Sequence, residues 1–492
     1  MRPMTMTRFP IRPFRLAALP LTLALGACAF APDGKPPAVA PPAQYGVAPT
    51  PAAGASAQGV AQRFEQGARP VPEWWKRYGS AALDALVEEG LAHSPDLAAA
   101  ERNLAGAREQ LRGQVNSSML PSVDAGADAS RRRALTMPNL PEPTARYNVF
   151  TGQIHAQYDL DLFGAARFAN LSLAAQVAQQ AFQLESARRS LAGNIVTGAI
   201  AASALAQRVA LTEKQAVLAR QVARDTQRRY ELGAASQNDA LDADQDAASL
   251  EASLPGLRAR WHATRHALAV LLGRTPDQAP PDLDFDRLAV PEQVPVVVPS
   301  ELLASRPDIL LADAVVQAAA ADVGAATAQL FPSLSLSASM GQAGFNWPAA
   351  LSGAGSIWAI GASLTQPIFH GGALLAERNA AKERYEASLL QYKQTVLTAF
   401  RDVADTLSRL DAGGQALASA ESSRQAAEQS YRNTASRVRL GALPPYTEYA
   451  AEQHYVAARL REVDYADARL TETAALFQAM GSPVRAQDPA PR

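Results

Sequence analysis

The chain has 492 residues, with 46 basic against 47 acidic side chains and a formal net charge of −1. The charges are interspersed, which excludes the basic stripe of a nucleic-acid binder and the acidic tail of a solvating arm. Aromatic residues make up only 6% of the chain and alanine is very common, a bias toward long helices packed through small side chains.

The chain opens with Arg2, Arg8, Arg12 and Arg15, then the apolar stretch Leu16 to Gly26, closed by Leu25-Gly26-Ala27-Cys28. A basic start, a short apolar core and small residues before a cut are the three parts of a secretory signal, expected over 1–27. Leu-Gly-Ala-Cys also resembles the bacterial lipobox, in which the cysteine is acylated and becomes the new N-terminus. Cys28 is the only cysteine, so no disulfide competes for it, and it is the expected lipid attachment site. Residues 28–70, rich in Pro, Ala and Gly, read as an extended tether. No run of about 18 apolar residues follows, so a helical membrane span is not expected, and any crossing would use β-strands.

The rest of the chain repeats one plan. Ser94-Pro95-Asp96 recurs as Arg306-Pro307-Asp308, Pro121-Ser122 as Pro332-Ser333, and Phe163 as Phe369. Leu232-Gly233-Ala234 recurs as Leu440-Gly441-Ala442, and Leu272-Gly273 as Met480-Gly481. The offsets are 212, 211, 206, 208 and 208, an ordered agreement expected of a tandem duplication. The expected segments are a first repeat over 71–273, a Pro-rich linker over 274–300, a second repeat over 301–483 and a tail over 484–492.

Each copy carries two stretches of period-two alternation. Val123, Ala125, Ala127 and Ala129 alternate with polar or small residues, as do Phe150, Ile154, Ala156, Tyr158 and Leu160. In the second copy Leu334, Leu336, Ala338 and Met340 face serines, and Trp358, Ile360, Ala362, Leu364 and Ile368 share one face. Strands of about 10 residues with one apolar and one polar face suit a membrane barrel, lipid outside and water inside. A half-exposed soluble sheet is the ordinary alternative. Four strands cannot close a barrel, and open edges in lipid leave backbone groups unpaired, so a membrane reading requires several chains.

Between the strands lie proline-free stretches over Ala165 to Tyr230 and Gly372 to Leu443. In the second, Tyr385, Leu389, Tyr392, Val396, Ala399, Val403, Leu407 and Leu410 step by three or four, near the coiled-coil period. A helix of about 66 residues is roughly 100 Å long, beyond a globular domain. Ser94 to Met119 and Ser236 to Leu272, placed end to end, match that length.

Glu301-Leu302-Leu303-Ala304-Ser305-Arg306-Pro307-Asp308-Ile309, Phe331-Pro332-Ser333-Leu334-Ser335-Leu336, Trp74-Trp75, Tyr158-Asp159-Leu160-Asp161-Leu162-Phe163-Gly164 and Gln366-Pro367-Ile368-Phe369-His370-Gly371-Gly372 together resemble the signature of TolC/OprM-type outer-membrane factors. With the lipobox, the chain is most similar to the NodT-type lipoproteins that serve resistance–nodulation–division pumps. The resemblance implies an α+β membrane protein: a homotrimer with a twelve-stranded β-barrel, four strands per chain, continuous with a long periplasmic helical barrel. It implies outer-membrane lipid, a periplasmic membrane-fusion adaptor and an inner-membrane pump as partners, and passive conduction with no cofactor. An aspartate after the lipidated cysteine would favour inner-membrane retention in such lipoproteins; here Ala29 follows.

Under the same resemblance, strand hairpins over Arg131 to Tyr147 and Gln342 to Ser356 face outside, and the helix turns at Gly233 and Gly441 form the periplasmic tip. The family gate lies just beyond those turns. Here Ala451 stands at the usual aspartate position and Thr447 where leucine is common, leaving Glu448 and Glu452, with Asp239 and Asp242, as gate candidates. Rings of carboxylates favour cations and repel one another, though each acid read alone is an ordinary solvated helix face. His262 and His266 have metal-compatible spacing without a third ligand, and His370-Gly371-Gly372 lacks a Gly-x-Ser-x-Gly partner, so nothing calls for catalysis. The rival readings are an exit duct for type I protein secretion and a poreless periplasmic coiled-coil scaffold.

Overall fold

A computed structural model describes residues 30–46, 60–68, 71–135 and 144–481. The signal segment, Cys28 and the 484–492 tail lie outside the described residues. The chain packs into two compact units, one holding residues up to Lys35 with Arg112–Leu173 and Gln317–Glu386, the other holding Pro36–Leu111, Ala174–Val316 and residues from Ala387 onward.

The first unit is built on a four-stranded antiparallel sheet of β2 (Ser122–Leu135), β3 (Thr144–Leu160), β5 (Ser333–Gly344) and β6 (Ser356–Thr365), in the order β2-β3-β5-β6. Because antiparallel partners share a face, the register assembles the alternations into continuous rows. Val123, Ala156, Ala338 and Ile360 form one row; Ala125, Ile154, Met340 and Trp358 form the next. The opposite face carries Ser122, Gln157, Ser337 and Gly361, then Asp124, His155, Ser339 and Ala359. β2 runs past Ser130 and β3 begins before Phe150, so the first hairpin end is narrower than the 131–147 tip that the family resemblance implied. Arginine at Arg131–Arg133 hid the strand, although its register with Arg146–Asn148 is unbroken. The second hairpin end is not a plain loop. It carries the short helix α7 (Trp347–Ala350) and a 3-10 turn at Gly353–Gly355.

The strands run directly into helices. α2 (Pro95–Met119) leads into β2, α3 (Ala165–Glu231) leaves β3, α6 (Pro307–Ala328) leads into β5, and α8 (Ala373–Arg439) leaves β6. α3 and α8 are 67 residues each, about 100 Å at helical rise, with the proline-free stretches as their cause. Small side chains set the packing: Val323 and Ala326 of α6 meet Ala381 of α8, with Tyr385 alongside.

The second unit holds α1 (Ala81–His93), α4 (Gln237–Leu271), α9 (Tyr446–Met480), the remainder of α3 and α8, and a small parallel pair, β1 (Arg63–Gln66) with β4 (Gln293–Val296). Ala219 and Ala223 of α3 pack on Ala247 of α4, so alanine again lets two helices approach closely. The expected α8 stripe is the buried one, from Tyr392 through Val396, Ala399, Val403 and Leu407 to Leu410. Arg188 of α3 pairs with Glu101 of α2 at 2.8 Å, and Arg220 further along meets Asp244 and Glu251 of α4. Trp74 stacks on Phe477 at 5.3 Å, and Tyr78 donates its hydroxyl to the Leu470 carbonyl at 2.8 Å. The Arg-Pro-Asp signature acts locally. Arg306 donates to the Ala479 carbonyl at 3.0 Å and pairs with Asp308 at 2.7 Å, closing the C-terminus of α9 with a cation. Gly273 and Gly481 fill matching positions. A Cβ there would lie 2.6 Å from the His93 carbonyl oxygen and 2.5 Å from that of Ser305.

Two features bear on what the sequence led us to expect. α3 and α6 each hold an 18-residue window apolar enough to cross a membrane, half of it buried within the chain. Alanine raises their hydropathy without any long aliphatic run, and Val323 and Ala326 of α6 are taken up by packing on Ala381 of α8. The Pro- and Gly-rich segment before residue 70 is not a plain tether where it is described. Phe30 sits against Phe331 at 4.9 Å and Phe163 at 6.4 Å, while Tyr45 donates to the Val297 carbonyl at 2.6 Å. Gln62, 2% exposed, accepts from Arg469 at 3.0 Å and donates to Thr473 and the Pro291 carbonyl.

Candidate channel wall and gate

The exposed face of the sheet is apolar. Met340 is 67% exposed, Trp358 75% and Ile360 79%, they share the rows described above with Ile154 and Val123, and Leu336 follows in the next row with Tyr158 and Ala362. An apolar patch of this continuity on a single chain marks a surface meant for lipid or a partner. The other face is polar and lined by small side chains, mainly Ser, Gly, Asp and Gln. Along β3, the apolar set from Leu160 to Phe150 spans about 34 Å of strand, or about 26 Å of height at a tilt near 40°, the height of an outer-membrane apolar band. Aromatic residues flank it, with Phe150 against Trp347 at 4.6 Å near the hairpin end and Phe163 stacked on Phe331 at 5.1 Å near the helices. Interfacial aromatic girdles are the usual border of such a band. β2 and β6 each keep one unpaired edge within the chain.

The two helix turns in the second unit share one geometry. Gly233 has φ 75° and Gly441 φ 72°, the left-handed conformation in which glycine carries no steric cost. Ala234 N donates to Arg229 O at 2.7 Å and Ala442 N to Arg437 O at 2.8 Å, completing the same C-terminal cap. Leu232 and Leu440 stand out as exposed leucines at these turns. After the first turn, Ser236 and Asp239 form a reciprocal capping box at 3.1 and 3.0 Å. The backbone hydrogen bond from Ser236 holds the Asp239 carboxyl below its ordinary pKa. After the second turn, Pro444 and Pro445 replace that box, and Thr447 Oγ1 donates to the Pro444 carbonyl at 2.7 Å.

The gate candidates therefore divide by what holds them. Asp239 completes the capping box at the start of α4, while the Thr447 hydroxyl is spent on the Pro444 carbonyl. Glu452 is ion-paired with Lys214 of α3 at 2.6 Å and is only 16% exposed. Asp242 is exposed and Glu448 half-buried, and no ion pair holds either among the described residues. Tyr431 stacks on Tyr455 at 6.1 Å; its hydroxyl pKa is raised chiefly by burial, then by Glu452 and Glu448. Sequence reading missed Arg229, whose guanidinium lies 4.4 Å from the ring centre of Tyr446 and ties the end of α3 to the start of α9. Its signal was present, a basic residue in the last helical turn, but nothing local named its partner.

The sequence profile of the outer membrane efflux protein family matches residues 86–274 and 298–482. The chain belongs to the outer membrane efflux protein family. It is 30% identical over 475 residues to the pyoverdine export outer membrane protein OpmQ of Pseudomonas aeruginosa, covering 95% of this chain and 96% of that protein. It is 30% identical over 474 residues to the toluene efflux pump outer membrane protein TtgC of Pseudomonas putida, covering 93% of each. The solved outer-membrane channel OprN matches with a TM-score of 0.76 and 26% identity, covering 91% of this chain and 99% of that one. This efflux protein is thus a channel component of the outer membrane, a transport conduit with the helical-channel fold of its relatives.

Proposed function

We propose that three copies of this efflux protein close a twelve-stranded barrel and join their helices into one periplasmic tunnel. The carrying observation is the four-stranded sheet with an exposed apolar face, a polar reverse face and two open edges. Unpaired strand edges in hydrocarbon cost several kcal/mol per backbone group, and pairing β2 of one copy with β6 of the next removes them all. The tandem duplication is supported by the equal 67-residue helices, the paired tip turns and the matching Gly273 and Gly481 contacts.

The channel is passive: a periplasmic adaptor and a resistance–nodulation–division inner-membrane pump supply energy and most of the selectivity. Relatives named for pyoverdine export and toluene efflux favour small-molecule cargo over secreted protein. Cys28 carries the acyl anchor, two residues before the Phe30 contact at the strand-to-helix border. The closed tip is constricted by acids after the Gly233 and Gly441 turns. Glu448 and Asp242 are the stronger pair, because Lys214 already neutralises Glu452 and Asp239 is used as a cap. Planar-bilayer recording of the purified protein tests the reading. Detergent-extracted trimer should give discrete conductance steps, and a stable non-conducting monomer with intact strand signal would overturn it.

A further inference from the structure

The apolar face of β2 and β3 does not end in neutral residues. Two positions beyond Ala129, on the same face, comes Arg131, and two further comes Arg133; their register partners are Asn148 and Arg146. All three arginines are exposed. Arg132 alternates to the polar face, where it donates to Ser130 at 3.2 Å. Arg133 and Arg146 are directly opposed across the strand pair, an arrangement of like charges that destabilises a sheet unless something relieves it. Among the described residues no carboxylate pairs with Arg131, Arg133 or Arg146. Arg133 Nε donates to Thr144 Oγ1 at 3.0 Å, and among the described residues its other guanidinium donors find no carboxylate.

Their height is as informative as their charge. They lie just past the Phe150–Trp347 pair, at the hairpin end of the apolar band, where lipid tails give way to headgroups. An arginine side chain can lay its stem on the apolar face and present its planar donors to that layer.

We propose that Arg131, Arg133 and Arg146 form a lipid-facing site for the phosphate groups of the phosphorylated glycolipid in the outer leaflet. The site rests on the membrane-barrel reading above. It binds by charge and by bidentate donation to phosphate oxygens, it relieves the Arg133–Arg146 repulsion, and it fixes the vertical position of the barrel. Three copies would present nine such guanidinium groups around the outer rim.

Full-length trimer in neutral detergent is titrated with diphosphoryl lipid A, dephosphorylated lipid A and inorganic phosphate, with bound lipid read by native mass spectrometry. Wild type should prefer the diphosphoryl form at least tenfold, and inorganic phosphate at equal concentration should not displace it. At about fivefold per arginine near an anionic surface, R131Q/R133Q/R146Q should abolish that preference. The triple lysine variant, which keeps the charge and loses the two-donor fork, should show a smaller preference than wild type. A preference absent from wild type, or retained in the glutamine variant, overturns the proposal, as does equal binding of free phosphate. If the triple glutamine variant fails to assemble, R131Q and R146Q are compared singly, and an unchanged preference in both overturns it. Conductance of the same wild-type preparation separates the two failures. A conducting trimer without lipid preference refutes the arginine site alone, whereas a non-conducting monomer refutes the barrel and the site together.

Discussion

Glu462 on α9 offers a quantitative test of how the second unit is held. It is 5% exposed and accepts from Arg424 of α8 at 3.0 Å and from Arg459 at 2.5 Å. Arg424 continues to Glu428 at 2.6 Å, and Arg459 reaches Asp286 in the linker between the copies. Glu462→Gln keeps the volume and one acceptor oxygen but removes the charge that two guanidinium groups share. Removing one partner of a buried ion pair costs about 3–5 kcal/mol when the other is left dry. Here Arg424 and Arg459 are 21% and 24% exposed, so water relieves part of that charge, and we expect about 2 kcal/mol. Read by hydrogen exchange in the folded protein, that is about thirtyfold faster opening of the middle of α9. Adding Arg424→Gln to the same chain should cost less than the sum of the two single changes, because both act on one interaction. Unchanged protection in Glu462→Gln, or strict additivity of the pair, would refute the reasoning.

Three further outcomes are expected. Cys28→Ser should abolish palmitate labelling and leave an uncleaved, slower-migrating precursor; normal maturation of that variant would remove the lipid anchor from the account. Burial raises the Asp467 carboxyl to about 6, against partial relief from Arg208, so the folded state holds this proton more tightly than the unfolded chain does. Stability contributed here is present at low pH and lost as pH rises through about 6, so Asp467→Asn should stabilise by about 1–3 kcal/mol at pH 7 and by nothing below pH 4, measured by thermal unfolding across pH. At the tip, carboxylates from three chains about 6 Å apart repel by roughly 3 kcal/mol per pair at an effective dielectric near 20. Glu448→Gln with Asp242→Asn should therefore lower cation selectivity and divalent block in bilayers, with trimer yield unchanged, and unaltered selectivity would place both acids away from the pore.

Much of this was legible in the sequence because it is periodic. Strand alternation named both faces of the sheet, the α8 stripe from Tyr392 to Leu410 named the buried seam, and the family resemblance placed helix turns at Gly233 and Gly441, where both glycines are left-handed. What escaped was long-range or aperiodic. The β1–β4 pair joins segments more than 200 residues apart, and Gln62 is secured by residues from α9 and the linker, contacts that no local pattern encodes. Phe30 looked like one apolar residue in a tether until Phe163 and Phe331 were brought to it. Which of the acids near the two helix turns is capping or ion-paired depends on partners such as Ser236 and Lys214, and the Lys214 pairing needs tertiary structure.

The central claim is that the apolar face of the sheet meets lipid while the polar face lines water. Single cysteines at Gln153, Ile154, His155 and Ala156 on β3, placed in the full-length protein in membranes, test it directly, with the otherwise unchanged chain, whose only cysteine is Cys28, as the labelling control. A membrane-impermeant, water-soluble thiol reagent should label positions 153 and 155 and stepwise reduce single-channel conductance, while positions 154 and 156 stay unlabelled. Equal labelling of all four, or labelling confined to 154 and 156, would contradict the barrel.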